Sequence, residues 1–193
     1  MVRFNAKGGY MIELAEDSHA DVYFRPGWDE YYLTMAFVVA QRSFDPSSKC
    51  GSVIVSKDNR VLSTGYNGPI RGSNDNEIPL DRPRKYCHMI HGEENAILAY
   101  NGSYQDIQGA TIYVTGRPCH RCLRMILQKG ITTIVYGPNV TKVVDKEDME
   151  AQKIMLAGRN GIKIIETDSD SVKNLLQRTS DYIDKKLKES KNY

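Results

Sequence analysis

The chain reads as an α/β protein: three layers, with helices on both faces of a central sheet of about five strands in mixed pairing. Three observations predict this. Helical spacing and short β-rich runs alternate in the order helix, two strands, then four helices separated by three strands. The strand–helix–strand units after residue 111 have room for parallel crossovers, whereas 51–66 reads as a hairpin. Finally, 193 residues with 40% apolar content suffice for one real core.

The elements follow in order. Residues 1–24 are polar and mixed and read as an N-terminal extension, leading into Arg25-Pro26-Gly27. WDEYYLTMAFVVAQRSF then sets Trp28, Tyr31, Tyr32, Met35, Val38 and Val39 at helical spacing, and Asp45-Pro46-Ser47-Ser48 stops the helix. Strands at 51–56 and 60–66 turn at Lys57-Asp58-Asn59. Residues 67–86, rich in Gly, Asn and Pro, read as a long loop of the kind that often carries function. A helix runs from near His91 to Tyr100. Next come a strand at 110–116, a helix at 119–130 closed by Gly130, and a strand at 132–137. A helix at 143–158 closed by Gly158 and a strand at 161–167 complete the domain, taken as 25–168. Residues 169–193 place Val172, Leu175, Leu176, Ile183 and Leu187 at helical spacing and read as a C-terminal helix with a charged tail.

Lys plus Arg total 26 against 24 Asp plus Glu, a net charge of +2. No basic excess marks a nucleic-acid surface, so no such partner is expected; one basic pocket for a phosphate remains compatible. No apolar run reaches about 18 residues and the N-terminus has no signal-peptide pattern, so a cytoplasmic protein without membrane contact is expected, in a host cytoplasm if the source is viral. Cys50, Cys87, Cys119 and Cys122 are too few for a disulfide scaffold. The C-x-x-C among them points to metal or redox chemistry in a reducing compartment.

That chemistry is narrowed by two stretches, HGEENAIL at 91–98 and PCHRC at 118–122. Pro118 suits a helix start, and Cys119 and Cys122, three residues apart, share one face at the positive end of that helix. Alone, such a pair fits a redox couple or half of a structural zinc site equally well. His91 adds a third donor of the type that zinc prefers. Fourth-ligand candidates are weak. Cys87 reads as a small core residue, His88 shares a face with His91 only if the helix begins early, and His120 points away from the cysteines. Three ligands leave a position for water, so a catalytic zinc is the better reading. Glu93 alone would pass for a first-turn glutamate favoured by the helix dipole, as Glu94 does. Together with His91, Cys119 and Cys122 it completes H-x-E…P-C-x-x-C, the signature of zinc nucleobase deaminases.

HGEENAIL, ATIYVTGRPCHRC, SVIVSKDNRVLSTGYNG and WDEYYLTMAFVVAQRS together resemble the deoxycytidylate (dCMP) deaminases of cells and of large DNA viruses, over residues 25–166. The resemblance implies a cytidine-deaminase-like fold with a five-stranded mixed sheet between helices. It implies hydrolysis of dCMP to dUMP and ammonia, supplying dUMP for dTMP synthesis. By motif position, His91, Cys119 and Cys122 would hold a catalytic Zn2+, Glu93 would shuttle protons, Asn67 of TGYNG would contact the sugar and the Gly92 backbone N–H the base. The family also implies a homo-oligomer, commonly a hexamer, activated by dCTP and inhibited by dTTP. Mg2+ would accompany the effector, which would bind near Gly68, Arg71 and Asn74. Departures from the family pattern are Gly92, where alanine or valine is usual, Arg117 before Pro-Cys, and GPIRGSNDNE after TGYN.

A monophosphate requires cations. Lys49, Arg71, Arg117 and Arg121 are candidates, with Arg121 ranked first for its place inside the metal motif and Lys49 second. Tyr86 and His88 are candidate pocket-lining residues from the loop side. Rival readings are a deaminase of a polynucleotide, of cytidine, dCTP or another base, and a non-enzymatic zinc-stabilised nucleotide-binding protein. The near-neutral charge opposes the first and Glu93 opposes the last.

Overall fold

The computed structural model describes residues 2–4, 10–12, 23–138 and 145–190, and for those before residue 25 the backbone alone. Three short strands, β1 (Val2–Phe4), β2 (Tyr10–Ile12) and β3 (Tyr23–Phe24), pair antiparallel in that order. Then follow α1 (Trp28–Ala40), β4 (Gly51–Val55), β5 (Val61–Tyr66), α2 (Gly92–Ala99), the one-turn α3 (Tyr104–Ile107) and β6 (Thr111–Val114). The chain continues through α4 (His120–Gln128), β7 (Thr133–Tyr136), α5 (Lys146–Leu156), β8 (Lys163–Glu166) and α6 (Ser169–Ser190). The main sheet has five strands in the order β5-β4-β6-β7-β8. Its β5–β4–β6 pairs are antiparallel and its β6–β7–β8 pairs parallel, the mixed pairing that the sequence predicts.

Alternation along the strands builds two cores. Val53 and Val55 of β4, Tyr113 of β6 and Val135 of β7 face α1 and the start of α6, meeting Tyr32, Leu33, Ala36 and Val172. The intervening residues Ile54, Ile112, Val114, Ile134 and Tyr136 face the other way, onto Ala96 of α2 and Leu123, Ile126 and Leu127 of α4. Two glycines set how close the helices come. A Cβ on Gly51 would lie 2.2 Å from the Ala36 carbonyl oxygen of α1. One on Gly65 would lie 2.2 Å from Ala96 N and 2.4 Å from the Gly92 carbonyl oxygen of α2. The backbones of α1 and α2 therefore rest directly on the sheet, on opposite faces.

Several expectations change. The buried face of α1 is Tyr32, Leu33, Ala36 and Ala40, not the stripe through Trp28, Tyr31 and Val38, which are exposed. Tyr32, Met35 and Val39 of the expected stripe do reach the core, and at Ala36 and Ala40 the close approach of Gly51 leaves room only for small side chains. Residues 1–24 contain β1–β3, strands of two or three residues, too short to show a period-two pattern. Within the expected 67–86 loop lie two 3-10 turns, Asp75–Glu77 and Arg84–Cys87, and Gly68 bridges to Ile90. Only Val172 of α6 is buried, while Leu176, Ile183 and Leu187 stand in solvent. The expected starts of the 143–158 helix (143–144) and ends of the tail (191–193) lie outside the described residues. Among the described residues, no helix is long and apolar enough to cross a membrane.

Gly65→Ala should lower stability by about 3 kcal/mol, the upper range for overpacking, because backbone rather than a movable side chain blocks the new methyl. Urea unfolding reads this as a lower midpoint. A midpoint equal to that of the parent chain would contradict the close approach of α2 to β5.

Candidate active site

Two helix starts meet above the sheet. His91 is the N-cap of α2 and Cys119 the N-cap of α4; both have extended backbones and neither side chain caps its own helix. Those side chains instead turn toward each other. His91 Nδ1 lies 3.6 Å from Cys119 Sγ and 3.3 Å from Cys122 Sγ, and the three donors fall within 4.8 Å of one another. Zinc bonds of about 2.3 Å to sulfur and about 2.0 Å to nitrogen at a tetrahedral angle put N and S about 3.5 Å apart. The spacing fits.

Electrostatics agree with the geometry. The hydrogen bond with Cys122 holds the Cys119 thiol down to about 3 against the opposing effect of burial, and His91 assists. The same bond, then burial, pushes Cys122 far above its ordinary value. A divalent metal opposite both sulfurs would favour the thiolate form of each. Among the described residues no other His, Cys, Asp or Glu joins the group, so the fourth tetrahedral position is not a protein side chain from that set.

Glu93, in the first turn of α2, is 5% exposed. Burial pushes its carboxyl above the usual carboxylate range, partly offset by His91. It faces a pocket whose wall also includes His91, Cys119, Asn67, Cys50 and Val114. Across that pocket stand Arg82, Lys85, Tyr86 and Arg117.

The other expected residues are placed as follows. Asn67 lines the pocket, but its amide is engaged: it accepts from Cys50 N at 2.8 Å and donates to the Ser48 carbonyl at 2.9 Å. Gly92 is buried, and a Cβ there would lie 3.1 Å from the Cys50 carbonyl oxygen and 3.4 Å from Ser52 Oγ. An added methyl would therefore require Cys50 to shift by a few tenths of an ångström. Arg121 does not line the Glu93 pocket; it lies in a second cavity behind His91, with His88, Glu94 and Cys122. Tyr86 borders both cavities. Lys49 points to the Gln41 carbonyl at the end of α1. Of the four cations considered for a phosphate, only Arg117 faces the pocket. Gly68 pairs with Ile90, and Arg71 and Asn74 lie on the exposed loop, where Asn74 accepts from Asn76 N and donates to Glu77. Cys87, expected in the core, is exposed, because the 3-10 turn that carries it buries Lys85 instead.

Sequence reasoning missed that lysine. Lys85 Nζ lies 2.6 Å from Asp45 Oδ2 and 2.5 Å from Ser47 Oγ, and lysine and aspartate are 3% and 2% exposed. Asp45 also accepts from the Ser47 and Ser48 N–H groups. Burial raises the Asp45 carboxyl, but the bonds from Lys85 and Ser47 outweigh it and hold it below the ordinary range. DRPRKY reads as a solvated charge run, and nothing in its spacing separates Lys85 from Arg82 or Arg84.

Three outcomes are expected. Lys85→Met should cost about 3–5 kcal/mol in denaturant unfolding, since it strands a buried carboxylate. A depressed Asp45 contributes stability above its unfolded value, and that contribution is lost as pH falls through its lower folded value. Asp45→Asn should therefore flatten the acid limb of a stability–pH curve, and an unchanged limb would show that this pair is not the source. Metal analysis should find one zinc per chain, absent in Cys122→Ser. Full zinc in that variant would contradict the three-donor centre.

Residues 26–138 match the family described as cytidine and deoxycytidylate deaminase zinc-binding region. The deoxycytidylate deaminase of Mus musculus is 37% identical over 139 residues, 68% of this chain and 76% of that protein. The deoxycytidylate deaminase of Mycobacterium phage D29 is 39% identical over 125 residues, 58% of this chain and 95% of the phage protein. In structure, the dCMP deaminase from the cyanophage S-TIM5, in complex with dCMP and dUMP, aligns with TM-score 0.58 at 23% identity, covering 75% of this chain and 100% of that one. That likeness establishes a shared fold. With the zinc-binding donor set, its adjacent glutamate and this sheet order in place, the chain belongs to the cytidine and deoxycytidylate deaminase family.

Proposed function

We propose that this chain hydrolyses dCMP to dUMP and ammonia, with His91, Cys119 and Cys122 holding zinc and Glu93 moving protons. One observation carries the reading: a buried carboxyl, raised by desolvation, beside a three-donor cluster and in a pocket that Arg82 and Arg117 also line. The relatives that bear the name deoxycytidylate deaminase support the choice of substrate.

Bound zinc would supply a water of lowered pKa as nucleophile. Glu93 takes a proton from that water and delivers it to N3 of the cytosine ring as the water oxygen bonds to C4. It then takes the remaining proton from the new C4 hydroxyl and delivers it to the amino group, so that the C4–N bond breaks, C4=O forms and ammonia leaves. A carboxyl whose proton affinity is raised by burial suits transfer in both directions. The Gly92 N–H, at the start of α2, is the donor proposed for the base. Asn67 acts on the sugar end by fixing the backbone of Ser48 and Cys50. For the phosphate, Arg82 and Arg117 replace Arg121 and Lys49, because they line the pocket and the latter two do not. Arg82 is held by Ser48 Oγ at 3.0 Å, and Arg117 lies over the Tyr136 ring.

The regulatory part rests on resemblance alone: activation by dCTP with Mg2+, inhibition by dTTP, effector contacts at Gly68, Arg71 and Asn74, and a hexamer. Cytoplasmic location and separate units at 1–24, 25–168 and 169–193 rest on the sequence reading.

The test is ammonia release by zinc-loaded protein from dCMP, dCTP, cytidine and a cytosine-containing oligonucleotide, with dCTP and dTTP as effector arms. Turnover preferring dCMP is expected. Preference for cytidine or the oligonucleotide would overturn the substrate. Arg82→Ala or Arg117→Ala should raise KM for dCMP about 10-fold or more, the loss of one charged hydrogen bond, and leave cytidine turnover as it was. An equal effect on both substrates would remove the phosphate role.

A further inference from the structure

Helix α5 is unusual in what it buries. Its two buried residues are polar, Asp148 and Gln152, while Met149 and Ile154 are exposed. Met155 and Leu156 at its C-terminal end pack partly against the core, so the fully buried positions are the polar ones. The pair is spaced i, i+4, so both side chains leave the same face. That face meets the segment that carries the two cysteines.

The contacts there are complete. Asp148 Oδ1 accepts from the His120 backbone N–H at 2.8 Å and pairs with His120 Nδ1 at 2.6 Å. Asp148 Oδ2 accepts from Gln152 Nε2 at 2.6 Å. Gln152 Nε2 also donates to the Pro118 carbonyl at 3.1 Å, and its Oε1 receives the Arg117 guanidinium at 3.3 and 3.4 Å. Three positions flanking Cys119, namely 117, 118 and 120, are thus held from one helix.

The need for this follows from the donor set. A helix start leaves backbone N–H groups without partners, and the N-cap side chain normally accepts one of them. Cys119 occupies that cap, and its sulfur is turned to His91 and Cys122. An N-cap side chain serves the second or third N–H of its helix and leaves the first unserved. Asp148 supplies the acceptor at that first N–H of α4. Asp145 caps α5 itself by accepting from Asp148 N at 2.7 Å, which leaves the Asp148 carboxylate free to face α4.

We propose that Asp148 and Gln152 are positioning residues: Asp148 holds the first N–H of α4, Gln152 holds the Pro118 carbonyl and Arg117, and together they fix the cysteine pair for the metal and Arg117 for the substrate. The inference rests on the metal-dependent reading above, but its primary readout is metal affinity, which does not require turnover. Partners that orient metal ligands typically change affinity about 10–100-fold when removed.

The experiment compares full-length wild type, Asp148→Ala, Asp148→Asn and Gln152→Ala. Zinc affinity is read by competition with a chromophoric chelator. The cobalt-substituted forms report the ligand field through their thiolate charge-transfer and d–d bands. Asp148→Ala should bind zinc about 10–100-fold more weakly, with altered cobalt bands. Asp148→Asn, which keeps an oxygen for the His120 N–H, should recover most of the affinity. Gln152→Ala should raise KM for dCMP more than it lowers kcat, through Arg117. Should Asp148→Ala fail to fold, Asp148→Asn and Gln152→Ala carry the test. Folded Asp148→Ala with wild-type zinc affinity and an unchanged cobalt spectrum would overturn the proposal. So would a weakening that Asn does not rescue, since the capping acceptor would then not be the cause. Failure of the wild type itself to bind zinc would instead overturn the metal reading, so the two failures are distinct.

Discussion

Everything at the centre of this molecule depends on two helix N-termini whose cap side chains do not cap. His91 and Cys119 stand where a Ser, Asp or Asn would ordinarily satisfy the first turn, and both turn to each other instead. His91, Cys119 and Cys122 share one hydrogen-bonded cluster in which both cysteines are buried. A divalent ion there would neutralise both sulfurs. The positive ends of α2 and α4 support the same charge balance. Helix placement is therefore the first requirement. Gly65 provides it for α2 by letting the backbone of that helix rest on β5, and the β6–α4 turn brings the cysteines alongside.

The substrate side is built by a second buried electrostatic unit. Lys85 and Asp45 join the 3-10 turn before α2 to the segment between α1 and β4, and Asn67 ties that segment to the end of β5. Three pieces distant in sequence are locked into one wall. Lys85 is committed to Asp45 and Ser47, whereas Arg82 and Arg117 line the same pocket and are more exposed.

Much of this was legible in the sequence, for physical reasons. Strands β4 and β6 are runs of β-branched and aromatic residues, and Gly130 and Gly158 stop α4 and α5 by adopting positive φ. The donor spacing of His91, Cys119 and Cys122 survives because metal chemistry constrains residue types and the helix fixes their separation. What failed was anything set by long-range packing. The close contact of α1 with Gly51 is not visible in hydrophobic spacing, so Trp28 and Val38 misled. Lys85, Asp148 and Gln152 look like surface residues in sequence; their burial depends on partners 40, 28 and 34 positions away. Arg121 lies inside the metal motif yet faces the far side of His91, because sequence proximity does not fix direction.

The central claim is that a carboxyl buried beside the metal donors carries the protons of the reaction without holding the metal. Glu93→Gln keeps the size of the side chain and removes its ability to exchange protons. The most direct measurement is zinc content and dCMP turnover on one preparation of that variant. Full zinc with kcat reduced by about 100-fold or more, the range for loss of general acid–base catalysis, is the predicted result. Full zinc with near-normal kcat would contradict the claim.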